Sequence, residues 1–149
     1  TQKDFIARPE LKPVLIKAGS LGENMPERDI MVSPNHRMLI ADKGASMYFD
    51  EPEVLAAAKH FVGKDGICHV DVSQTSYIHF MFERHEVVLS DGTWTESFYP
   101  GDYTIDGLGA EQRDEILALF PELETEVGMK GYRTARATLK KYEAKLLLR

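Results

Sequence analysis

Two short stretches place an imidazole where it could handle a proton: Ser33-Pro34-Asn35-His36-Arg37 and, about fifty residues further on, Phe82-Glu83-Arg84-His85-Glu86. Histidine ordinarily titrates near neutral pH, so it suits chemistry in which a poor leaving group, such as an amide nitrogen, must be protonated as it departs. Glu83 precedes His85 by two positions, and along a strand that spacing sets carboxylate and imidazole on one face. Each pattern also has a plainer reading. His36 can be a loop histidine bonded to backbone, and Glu83 with His85 an exposed pair on a half-wet strand. Arg84 and Glu86, on the opposite parity, would then pair across a sheet.

The single cysteine, Cys68, stands beside His69. Neighbours on a strand point to opposite faces, so the pair is poorly placed for thiol activation and Cys68 is expected to be a buried or half-buried structural residue. His79, Glu83 and His85 share a parity, but the spacing of a zinc-binding H-E-x-x-H helix is missing, and no metal or other cofactor is expected. Glycine-rich phosphate loops and a G-x-S-x-G elbow are absent as well.

The elements that must position these residues read mostly as short strands. Lys12–Ala18 is a buried strand closed by the Gly19-Ser20-Leu21-Gly22 turn cluster. Asp29–Val32 is a second, stopped at Ser33 because Pro34 biases the residue before it away from helix. Met38–Ala41 resumes as strand, which puts His36 at a bend between two extended segments. Asp50-Glu51-Pro52-Glu53 resembles a helix start, and predicts a helix to about Lys59 or Phe61. Ile67–Val72 and Ser76–Val88 alternate as strands; in the second, Ile78, Phe80 and Phe82 fall on one face, and Tyr77, His79, Met81, Glu83 and His85 on the other. Asp91-Gly92 is a hairpin signal, so Trp94–Phe98 should fold back antiparallel. Beyond Asp102 the character turns helical: Glu111–Phe120 is one helix, and Tyr132, Ala135, Leu139, Tyr142 and Leu146 predict an amphipathic C-terminal one.

The totals exclude several classes. At 149 residues the chain suits one domain with a real core. A net charge of −6 is wrong for a nucleic-acid binder, and the basic residues of Arg133–Lys141 alternate with apolar ones, as on a solvated helix face. No apolar run is long enough to span a bilayer. One cysteine rules out an internal disulfide or a thiolate zinc cage.

The block S-P-x-H-R, the block F-[DE]-R-H-E-x-V and the following Glu96-Ser97-Phe98-Tyr99-Pro100-Gly101-Asp102 together resemble the Hint (hedgehog/intein) autoprocessing domains, in particular a bacterial group carrying E-S-F-x-P-G-D. Similarity extends to Leu117–Leu123, so it covers nearly the whole chain. The resemblance implies a mainly β, Hint-like fold of short twisted strands, with the front strands absent and a helical C-terminal appendage. Residues 1–104 would be the rear portion of the Hint-like domain, with its blocks at 33–37 and 82–86, and 105–149 the helical extension.

Such domains cut their own backbone by an N–S acyl shift, so the resemblance implies roles for four residues. His36 would protonate the departing amide nitrogen, with Ser33 as its positioning partner. Glu83 stands where many relatives have Asp and would tune the nucleophile's protonation, while His85 assists transfer. The cysteine nucleophile is expected upstream of Thr1, so the chain alone would be inactive, and a truncated, split or degenerate domain all fit. Glu96-Ser97-Phe98 stands where splicing inteins have a terminal His-Asn; without that Asn, cleavage without splicing is expected. The substrate would be the chain's own N-terminal flanking segment. A complementing N-terminal half or a second copy would pair with open strand edges; no nucleic acid or membrane span is expected. Relatives often end large bacterial surface or secreted proteins, which implies an extracellular or cell-surface location. The alternatives are a degenerate scaffold serving as a secreted interaction module, and a metal-dependent hydrolase.

Overall fold

A computed structural model describes residues 9–41, 43–102 and 109–147. The chain divides into two units. One comprises the described residues up to Ile78, Val87–Glu96 and the described residues from Arg136 onward; the other comprises His79–Glu86 and the described part of Ser97–Ala135.

The first unit is built from strands. In one sheet β1 (Val14–Ile16) lies between β2 (Ile30–Val32) and a third strand, Ile67–His69, which is β5 in chain order, both antiparallel to it. The other sheet contains β3 (Arg37–Ile40), β4 (Val54–Ala57), β6 (Val87–Ser90), β7 (Thr93–Glu96) and β8 (Ala137–Thr138), in the order β6-β7-β3-β4-β8. β3 and β4 pair along their whole length, from Arg37 opposite Ala57 to Ile40 opposite Val54. β7 meets β3 through Met38 and Thr95. A core joins the sheets: Val14 and Ile16 of β1, Ile67 of β5, Met38 of β3 and Val54 of β4 pack with Phe61. Removing each of the larger side chains from water contributes about 2 kcal/mol.

Local signals in the sequence account for much of this. Asp91 and Gly92 have φ of 49° and 72°, the left-handed pair that a two-residue type I′ hairpin needs, and they join β6 to β7 with Ser90 opposite Thr93. The β1, β2, β3 and β5 segments form where alternation and turn punctuation predict them.

Three elements differ from expectation. The predicted helix from Asp50 is replaced by a helix that ends there, Lys43–Phe49, followed by β4. Asp50 has φ of 56° and donates its N–H to Ser46 O at 3.2 Å, so it closes the preceding helix in the left-handed conformation that Asp tolerates. Val54-Leu55-Ala56-Ala57-Ala58 is buried throughout. A continuous apolar run of that length suits an inner strand buried on both faces, and burial overrode the capping signal.

The predicted strand 76–88 is regular only from Val87 onward. Ile78 is 82% exposed and Phe80 67% exposed. Alternation shows that a strand can bury one face, but a ladder partner has to be present, and 79–86 bonds irregularly: Phe98 N–H to Phe80 O at 2.7 Å and Ser97 N–H to Glu86 O at 2.8 Å.

The predicted amphipathic helix through Tyr132–Leu146 is broken up. Ala137 and Thr138 form β8, parallel to β4, with Leu139 N–H donating to Leu55 O at 2.8 Å; only Lys141–Ala144 is helical. β4 needed a partner on that side, and Leu139 reaches the core through the strand.

The second unit holds the irregular 79–86 segment and helices after Gly109. Helix Ala110–Leu119 forms close to the predicted Glu111–Phe120, and a short helix, Glu126–Gly131, is capped by Thr125, whose hydroxyl accepts from Gly128 N–H at 3.0 Å. Leu123 and Tyr132 are buried in this unit.

Candidate functional site

His36 ends a tight turn. Its N–H donates to Ser33 O at 3.0 Å, and Pro34, buried, supplies the fixed φ of the turn. The segment after β4 holds the turn from the other side: Ala58 N–H bonds to His36 O at 2.9 Å, Lys59 N–H to Pro34 O at 3.0 Å, and Lys59 Nζ to Asn35 Oδ1 at 2.7 Å. Proline and the strand end therefore fix where the imidazole starts.

Its ring is oriented by β7. His36 Nε2 bonds to Thr95 Oγ1, and that hydroxyl donates to Arg37 O at 3.0 Å, a closer acceptor than Met38 Sδ at 3.7 Å. A hydroxyl has one hydrogen, so with that hydrogen on Arg37 O it receives the Nε2 hydrogen of His36. The next residue is gripped harder. Glu96 Oε2 accepts from Arg37 Nη1 at 2.9 Å, and Glu96 Oε1 accepts from Arg37 N–H at 2.8 Å, with both side chains less than a tenth exposed. Thr95 and Glu96, successive residues of β7, thus clasp the dipeptide His36-Arg37 by side chain and backbone together. A cleft of about 270 Å³ opens beside the ring, lined among others by Val32, His36, Met38, Thr93 and Thr95.

The second block lies in the other unit. Glu83 is exposed and His85 is buried, at 3% exposure. The strand expected to set them on a common face is not formed, so the two have different surroundings. His85 Nδ1 accepts the N–H of Ala135 at 2.9 Å, and its ring meets Tyr99 edge-on at 5.3 Å. Tyr99 packs on Tyr132, whose hydroxyl donates to Phe82 O at 2.8 Å. Burial, aided by the charge of Glu86, pushes the Tyr132 phenol up to about 12. Tyr132 is therefore a hydrogen-bond donor throughout the neutral range. Ser97 is buried and exchanges bonds with Glu86: its hydroxyl accepts Glu86 N–H at 2.9 Å.

Cys68 is exposed, contrary to the expected burial. β5 is an edge strand from which only Ile67 enters the core. His69 bonds through Nδ1 to Lys12 O at 3.0 Å. Among the described residues no three His, Cys, Asp or Glu side chains are grouped to hold a metal ion, and no helix is long and apolar enough to cross a membrane.

The residues that the motifs alone passed over are Thr95, Tyr132 and Ala135, and the pairing of Arg37 with Glu96. One signal was available for that pair: each motif block carries a charged residue beside its distinctive one, with opposite signs. For the Ala135 amide no signal exists, since any residue but proline donates there.

The fold is mainly β, two sheets of short strands carrying a histidine turn. The Hint domain family model matches residues 1–102, and the chain belongs to the Hint domain family. Its two-sheet architecture is accordingly a Hint-like β fold, in a family known for autoprocessing. Neither the curated proteins nor the solved structures include a match to this chain.

Proposed function

We propose that this domain cleaves its own polypeptide by an N–S acyl shift at a cysteine upstream of Thr1, in the hedgehog manner and without splicing. The thiolate sulfur attacks the carbonyl carbon of the preceding residue, the C–N bond breaks, and the nitrogen takes a proton to become the cysteine's α-amine. A thioester remains, which water or an external nucleophile then opens. His36 delivers the proton and Ser33, at the head of its turn, positions the scissile region. Glu83 tunes the ionisation of the thiol and His85 assists transfer. The substrate is the segment preceding the domain, and the setting is the exterior or surface of a bacterium.

The observation that carries this reading is the clasp on His36. A loop histidine of no consequence would not be expected to have its ring nitrogen, its own carbonyl and the following amide all held by hydrogen bonds from two different strand regions. Preorganisation of that kind is what proton delivery to a poor leaving group needs.

The test is intact mass of a chain extended upstream through its first cysteine, with a small reporter before it, incubated with and without dithiothreitol. Thiol-stimulated release of the reporter that disappears in His36→Ala supports the reading. A chain that stays intact under thiol, or one cut equally well without His36, overturns it.

A further inference from the structure

The amide that bonds His85 Nδ1, that of Ala135, belongs to a part of the chain beyond the family match, which ends at residue 102. We propose that the segment from Tyr132 to Ala135 is a positioning element of the second histidine block: the Ala135 amide selects the ring tautomer of His85, and Tyr132 holds the backbone that carries it.

A backbone N–H can only donate, so the nitrogen it meets must present a lone pair. With Ala135 N–H directed at Nδ1 at 2.9 Å, a neutral His85 carries its hydrogen on Nε2. The ring is buried, so water does not compete for Nδ1. Two residues upstream of Glu83-Arg84-His85 lies Met81, and between them Phe82 O takes the Tyr132 hydroxyl at 2.8 Å. Tyr99 closes the arrangement by meeting His85 on one side and Tyr132 on the other. The 79–86 segment forms no regular strand, so these bonds replace the ladder that would otherwise set its register.

The consequence is specific. His85 is a hydrogen-bond donor through Nε2, and whatever it does in the proposed reaction it does with that hydrogen. The extension is then part of the site's machinery. This rests on the proposed function only for the part His85 plays in cleavage; the tautomer stands by itself.

The experiment is a long-range proton–nitrogen NMR correlation on the full uniformly labelled chain, with His85 assigned by His85→Gln. In the unsubstituted chain, at a pH where the ring is neutral, Nδ1 should read as bare and Nε2 as protonated, in a single tautomer. Ala135→Pro removes the amide hydrogen and should give a mixture or the opposite tautomer. Tyr132→Phe keeps the ring packing and loses only the hydroxyl; it should broaden or shift the His85 signals while those of His36 stay put. A hydrogen on Nδ1 in the unsubstituted chain overturns the proposal, and that measurement needs no variant to fold. An unchanged His85 pattern in a folded Ala135→Pro chain overturns it as well. Reporter release is read separately on the upstream-extended chain, so a domain that never cleaves refutes the proposed function and leaves the tautomer result intact.

Discussion

Glu96→Ala should be among the most damaging single substitutions in the first unit. The Glu96 carboxylate meets the Arg37 guanidinium at 2.9 Å and the Arg37 N–H at 2.8 Å, with the two side chains 7% and 9% exposed. Deleting one partner of a buried pair takes the counter-charge from the other, which costs about 3–5 kcal/mol. A buried amide without an acceptor is part of the same damage and by itself costs about 1–3 kcal/mol. Urea unfolding followed by the fluorescence of Trp94, the only tryptophan and a β7 neighbour of Glu96, reads this unit directly. With a slope of about 2 kcal/mol per molar, the midpoint should fall by about 2 M.

Two further variants separate the contributions. Glu96→Gln keeps an oxygen for the Arg37 amide but removes the counter-charge, so most of the loss should persist. Arg37→Met combined with Glu96→Leu removes both charges of the pair, still takes the Glu96 acceptor from the residue 37 amide, and should recover about half of the midpoint shift. A Glu96→Ala midpoint within about 0.5 M of the parent, on the same slope, or a double variant worse than the single one, would refute the reasoning that charge burial dominates here.

Stability should depend on pH through His60. Burial first, then the positive charges of Lys59, Lys141 and Arg37, hold its pKa below the ordinary 6.5. The unfolded chain therefore binds a proton at higher pH than the folded one does. This contribution is present above 6.5 and is lost as pH falls from there toward the folded value. Urea midpoints measured between neutral and mildly acidic pH should fall less steeply in His60→Gln than in the parent. Gly128→Ala should disrupt the Glu126–Gly131 helix start, because a Cβ there would lie 1.8 Å from the backbone oxygen of Glu122; a loss of about 1–3 kcal/mol is expected, read as faster amide exchange in 120–132. Alkaline difference spectroscopy should show a tyrosine ionising at about 12 that is absent in Tyr132→Phe. An unchanged titration in that variant would mean Tyr132 is not the buried phenol described.

How much of this was legible in advance depended on the range of the interaction. The β6–β7 hairpin follows from Asp91-Gly92, because few residues accept two successive positive φ values. The turn before His36 follows from Pro34, and the helix Ala110–Leu119 from a compatible composition that ends at Pro121. These choices are made within a few residues, by sterics and backbone propensity, and a sequence displays them. The motif blocks likewise pointed to the Hint domain family and its mainly β fold, which residues 1–102 bear out.

Only the tertiary structure decided the rest. Val54–Ala57 reads locally as part of a capped helix, and is a buried strand because β3 and β8 lie on either side of it. The alternation of 76–86 promised a ladder that no neighbour provides in regular form. Arg37 and Glu96 lie 59 positions apart, and His85 and Ala135 lie 50 apart. A buried charge or ring nitrogen takes whichever complementary group the fold brings within about 3 Å, and the identity of that group is a property of the packed chain, with no trace in the residues next to it.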